Sequence, residues 1–214
     1  MNAPVDTERP GQRRLTGPGR KTRDRIIETA AELMFHRGVG GTSIPDIQAA
    51  AGVSASQIYH YFGDKQGLVL AVIDYQTDTK LDQQRPLLDS LDSIEALREW
   101  CDRAADRQDA MGCAGGCEIG SLASELAETD PSARTDLAAS FDRWEAPIRS
   151  GLARMQARGE LSDSADVAAL ATALLAAIQG GMLLSQIRRS STAYRQAVSV
   201  VIDRIESYVP RDTA

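Results

Sequence analysis

The sequence predicts an all-α protein of about nine helices, an N-terminal three-helix head containing a helix-turn-helix followed by a larger helical body. Three observations predict it. Apolar residues recur at steps of three and four in one segment after another, and no segment alternates apolar and polar residues as a strand would. Ser, Asp and Gly stand at the ends of these segments, where helix caps belong. Residues 42–68 read TSIPDIQAAAGVSASQIYHYFGDKQGL, two short capped segments around an Ala-Gly-Val turn.

The first helix is expected over residues 22–37, where Ile26, Ile27, Ala30, Leu33 and Met34 form an apolar stripe and Gly38 ends it. Ser43 and Asp46 then form a capping box, with Pro45 harmless in a first turn. Ile47, Ala50 and Ala51 make a short apolar face, and Gly52 supplies the turn because a positive φ is cheap without a Cβ. Ser54 and Gln57 repeat the capping box. Ile58, Tyr61 and Phe62 face inward, which leaves Ser56, Gln57, Tyr59 and His60 outside or at the helix start. Such a polar, donor-rich face suits a recognition helix: hydroxyls and the helix N-terminus grip phosphate, and Gln57 is matched to adenine.

Asp64 reads as the N-cap of a fourth helix reaching about residue 81. Lys65 in its first turn is badly placed for the helix dipole, and a phosphate would explain it better than internal stability does. Further helices are expected at residues 93–110, after Asp130-Pro131 as far as Gly159 with a local kink at Pro147, at 167–188 and at 191–208. The segment 167–188 is apolar nearly all round, which requires burial on several sides. Within it and its successor, Leu174, Ile178, Leu183, Ile187, Val198, Val201 and Ile205 are expected at a dimer interface, with intrachain core as the alternative reading of the apolar surplus, and Gly180 and Gly181 allow close helix approach.

The segment RIIETAAELMFHRGVGGTSIPDIQAAAGVSASQIYHYFGDKQGLVLAV, from about residue 25 to residue 72, resembles the TetR family of transcriptional regulators over its whole length. The resemblance implies a ligand-responsive homodimer, most often a repressor, whose last two helices meet their copies in a four-helix bundle. It also implies DNA contacts from Tyr59, His60 and Lys65 and from the hydroxyls of Thr42, Ser43, Ser54 and Ser56. Two heads must then reach successive major grooves about 34 Å apart on a pseudo-palindromic site in double-stranded DNA. The resulting organisation is a basic arm over residues 1–19, expected to be disordered, a DNA-binding domain over 20–67, and an effector-binding and dimerisation domain over 68–214.

Charge distribution agrees with a DNA-binding end. The net charge is −6, yet residues 1–67 carry nine basic against seven acidic groups, +2, so the remainder carries −8. An acidic body behind a basic end limits misplaced contact with DNA. Residues 1–25 hold seven Arg or Lys and no apolar stretch, unlike a signal peptide. The run 167–184 is interrupted by Thr172, Gln179 and two glycines, so it reads as a buried helix rather than a membrane span. A cytoplasmic protein without membrane partner or cofactor is expected.

For an effector, Trp100, Phe141, Trp144 and Met155 offer an apolar lining, with plain core as the alternative reading of that stripe, and Gln179 an amide that needs a partner when buried. In MGCAGGCEIGSL, Cys117 is expected to begin or precede a helix, where the dipole would favour thiolate and Glu118 would oppose it. An alternative reading is therefore a redox- or electrophile-sensing regulator acting through Cys117, or a helical interaction module without DNA binding. Metal binding finds no ligand cluster beside Cys113 and Cys117, because both histidines lie in the head. An enzyme finds no phosphate loop, dinucleotide fingerprint or G-x-S-x-G elbow.

Overall fold

The computed structural model describes residues 17–210, and among them every regular element is a helix. In order these are α1 Gly17–Arg37, α2 Ile44–Ala51, α3 Ala55–Phe62, α4 Lys65–Leu88, α5 Ile94–Ala110, α6 Glu118–Leu126, α7 Pro131–Ala157, α8 Val167–Arg188 and α9 Thr192–Glu206. The helix α1 begins five residues before its expected start at residue 22, and its first turn takes in residues of the expected arm; residues 1–16 of that arm lie outside the described residues.

The head closes around Ile26, Ala30, Met34, Ile47 and Ile58, all buried. α4 leaves the head with Leu68, Val69, Val72 and Ile73 in the same core, so a division at residue 67 falls inside its first turn and head and body share the helix. It runs to Leu88 rather than ending near residue 81. Gln84 hid the continuation: a polar letter at an inward position, it is buried because its Oε1 accepts the indole N–H of Trp100 at 2.9 Å.

In the body, α7 packs between α4 and α8, and α9 lies between α8 and α5. α8 and α9 approach closely at Gly181, where a Cβ would stand 2.7 Å from the Tyr194 Cα. Gly180 has open space instead, so the close approach falls to Gly181 alone.

Two expectations about α8 and α9 need correction. The chain itself buries only one face of α8, formed by Leu170, Ala171, Leu174, Leu175, Ile178, Gly181 and Ser185. The other apolar face stays open, with Leu183 57% and Ile187 69% exposed. Secondly, Leu174, Ile178, Val198 and Ile205 lie in the core of their own chain and Val201 is half-buried against it, so these five do not form a free interface. Periodicity marks an apolar face without saying which neighbour covers it.

Candidate nucleic-acid interface and interior cavity

The helix-turn-helix is built by local hydrogen bonds that the sequence foretold. At α2 the Asp46 N–H donates to Ser43 Oγ at 3.3 Å and the Ser43 N–H to Asp46 Oδ2 at 2.9 Å. The Ser43 hydroxyl also donates to that carboxylate and is the main reason its pKa lies below the usual range, with the Arg37 charge a smaller cause. Gly52 takes φ +62°, the left-handed turn. At α3 the Gln57 N–H donates to Ser54 Oγ at 3.3 Å and the Ser54 N–H to Gln57 Oε1 at 2.9 Å.

Ser43, Ser54, Ser56, Gln57, Tyr59 and His60 are exposed together around the N-terminal end of α2 and along α3, Tyr59 by 49%. Gln57 has two duties: its Oε1 is held by the cap while its amide N–H groups stay outward. Pairing both groups with adenine requires the cap bond to open. Thr42 is a correction. It is fully buried and its hydroxyl donates to Gly38 O at 2.8 Å, so it supports the α1–α2 turn and is not placed to touch DNA. Lys65 is half-buried, its ammonium donating to Val39 O at 2.6 Å, which leaves two of its protons free.

The same turn is held from the body. Glu125, near the end of α6, accepts the N–H of Val39 at 2.8 Å and of Gly40 at 2.7 Å. Residue spacing gave no signal for a contact spanning 86 positions.

The expected effector residues separate into two places. Trp100 and Trp144 line a cavity of about 60 Å³ with Phe35 of α1, Lys80 and Gln84 of α4, Arg107 of α5, Glu118 of α6, Met182 of α8 and Tyr194 of α9. Lys80 donates to Glu118 Oε1 at 3.1 Å and lies 2.8 Å from Oε2, which accepts no directed hydrogen bond. The Trp144 indole N–H is buried with no acceptor. Cys117, Phe141 and Gln179 instead line a separate, open groove of about 320 Å³ beside Gly180 and Leu183. The Gln179 amide nitrogen there is also without an acceptor. Met155 lines neither space and is plain core.

Lys80 was legible in principle, since it stands seven residues after Ile73 and three after Thr77, on an inward face of α4. Phe35 was not, because only the tertiary fold brings it to the body. There the α5–α6 loop comes so close that a Cβ at Gly115 would be 2.8 Å from its ring.

Cys117 does cap α6, its sulfur accepting the Gly120 N–H at 3.4 Å, but the expected thiolate is overturned. Burial pushes its pKa up, outweighing the backbone bonds and the Lys80 charge that favour the anion. Among the described residues no group of three metal-ligating side chains occurs.

Known proteins bear on this arrangement. Residues 26–72 match the family described as bacterial regulatory proteins, tetR family, and residues 93–201 match a tetracyclin repressor-like C-terminal domain. An HTH-type transcriptional regulator of Lactococcus lactis subsp. lactis is 30% identical over 172 residues, 78% of this chain and 85% of the relative. The HTH-type transcriptional repressor DhaR of Mycobacterium sp. (strain GP1) is 25% identical over 185 residues, 86% of this chain and 91% of its own length. The crystal structure of a TetR transcriptional regulator from Chloroflexus aurantiacus J-10-FL superposes with a TM-score of 0.76 at 30% identity, covering 91% of this chain and 98% of that one.

Proposed function

The chain belongs to the TetR family and is a DNA-binding transcriptional regulator; from that premise we propose that it is a homodimeric repressor released from a pseudo-palindromic operator when a small molecule enters the interior cavity. The observation that carries the reading is that Phe35, a residue of head helix α1, forms part of the wall of a cavity in the body. An occupant presses on the head directly. It also presses on Glu118 at the start of α6, whose far end holds the α1–α2 turn through Glu125. Operator and effector then select different head positions and oppose each other reciprocally.

Dimerisation is supported by the open face of α8, where Leu183, Leu184 and Ile187 are exposed, with Val200 of α9 exposed as well. An apolar face of this kind is covered by a partner in a stable protein, and a two-fold axis places two heads on successive grooves. On DNA, Ser43, Ser54, Ser56, Tyr59, His60 and Lys65 hold phosphate and sugar, and Gln57 reads a base. A regulator that works on bacterial DNA acts in the cytoplasm.

The test is selection of bound duplexes from a random library, followed by anisotropy titrations of the selected duplex across salt. Two related half-sites about one helical turn apart and a steep loss of affinity with salt are expected. No enriched sequence, with binding indifferent to salt, would leave a helical interaction module in its place.

A further inference from the structure

We propose that the interior cavity takes a small organic acid, its carboxylate held by Lys80, Arg107 and the Trp144 indole N–H and its apolar body against Trp100, Ile178 and Met182. The proposal rests on the effector reading and names the ligand class. The cavity is lined by two cations, Lys80 and Arg107, and by one carboxylate, Glu118, which leaves it a formal charge of +1. That sign runs against the net charge of −6 of the whole chain. Lys80 is committed to Glu118 alone, and Arg107 has no carboxylate within ion-pair distance among the described residues.

The other ionisable neighbours add no competing anion. Burial holds Tyr194 well above its usual pKa, so the phenol is neutral, and burial likewise raises Cys113. Asp109 behind Cys113 is occupied by Arg195 at 3.0 Å. Of the two unsatisfied polar atoms in these walls, Glu118 Oε2 stays beside the Lys80 ammonium at 2.8 Å, and the Trp144 indole N–H is the one that asks for an acceptor. Trp144 is 2% exposed and its N–H has no acceptor, a cost that a ligand oxygen removes. Among the remaining walls Phe35, Trp100, Ile178 and Met182 are apolar, Gln84 is engaged with Trp100 and Lys80 O, and the Gln108 amide nitrogen donates to Ala104 O, a lining that disfavours a strongly hydrated phosphate or sulfate. A carboxylate on a short apolar body satisfies charge, donor and walls together. The cavity's size asks for a small one, since about 60 Å³ holds only a few water-sized groups before the walls move.

Both tryptophans of the chain line this cavity, so the fluorescence of the full-length protein reads its occupancy. Butyrate and benzoate are titrated against butyramide and benzamide at constant ionic strength. At least one acid should saturate, with its amide at least about tenfold weaker, because the charge-assisted bonds are lost. Trp144→Phe keeps Trp100 as reporter and removes a donor that had no partner. It should retain the melting temperature while weakening the acid several-fold. Arg107→Gln, at an exposed position, should narrow the preference of acid over amide. Equal binding of acid and amide, an Arg107→Gln variant with an unchanged preference, or saturation by neither acid overturns the assignment. Anisotropy on the selected duplex separates the two proposals. An acid that saturates the fluorescence without changing duplex affinity refutes effector control and leaves the ligand class standing, whereas release by non-acidic compounds that do saturate the fluorescence, with neither acid doing so, refutes the ligand class and leaves effector control standing.

Discussion

Glu125 joins body to head through one carboxylate and two backbone N–H groups, an arrangement a side-chain change can break without touching either core. Glu125→Ala removes both bonds, and because the site is largely exposed the expected cost is about 1 kcal/mol. For a chain of this length that lowers Tm by about 2–4 °C in a calorimetric scan. The larger effect should fall on regulation, with the response of duplex affinity to a bound ligand reduced while ligand affinity stays near wild type. An unchanged response would assign Glu125 a purely structural contact. At the same scale the cysteines should be inert. Burial pushes Cys101 to about 12 and raises Cys113 and Cys117, so thiol labelling of the native protein near neutral pH should be slow at all three and fast after unfolding. Rapid native labelling of Cys117 would revive the sensor reading.

α8 carries two faces with different destinations. Gly181 and Leu174 face their own chain, and Leu183 and Ile187, two and six residues beyond Gly181 and so on the far side of the same apolar helix, face outward. This division explains why an apolar seam read from sequence named residues of both kinds. Replacing Leu183 and Ile187 together by Arg removes apolar burial worth roughly 1.5–3 kcal/mol per side chain from an interface and adds like charges across it. Light scattering should then find monomers at concentrations where the parent is dimeric, the dissociation constant rising on the order of 100-fold or more, and duplex affinity should fall with it. A variant that stays dimeric would move the interface elsewhere. α3 behaves in the opposite way, since its caps, turn and outer face follow from spacing alone and all lie within ten residues of one another.

Over the whole molecule, acidic groups paired at the surface set the response to acid. Asp92 is held below the usual carboxylate range by hydrogen bonds from Arg154 and then Arg158, Glu160 by Arg158, Asp109 by Ser191 and Arg195, and Asp46 by Ser43. A carboxylate with a lowered folded pKa contributes stability that is present above its unfolded value, near 4, and disappears as pH falls through the folded one. Tm should therefore be nearly flat down to about pH 5 and decline below about pH 4, with a smaller decline in high salt. A Tm that rises on acidification through this window would contradict these pairings. The Asp92 contacts tie the α4–α5 turn to the end of α7, so part of the acid sensitivity should belong to the body.

The sequence by itself determined the helical class, the order of the helices, both capping boxes, the turn at Gly52 and the outward face of α3, because each depends on residues within a few positions of one another. It also placed Cys117 at the start of a helix. Only the tertiary structure decided that Thr42 is buried, that α8 leaves one apolar face open, that Trp100 and Trp144 share a cavity from which Phe141 and Met155 are absent, and that Phe35 and Glu125 connect head to body. The physical reason is the range of the interactions. Hydrogen bonds within a helix turn are written in local spacing, whereas burial, desolvation and the meeting of Lys80 with Glu118 depend on which surfaces the chain brings together across tens of residues.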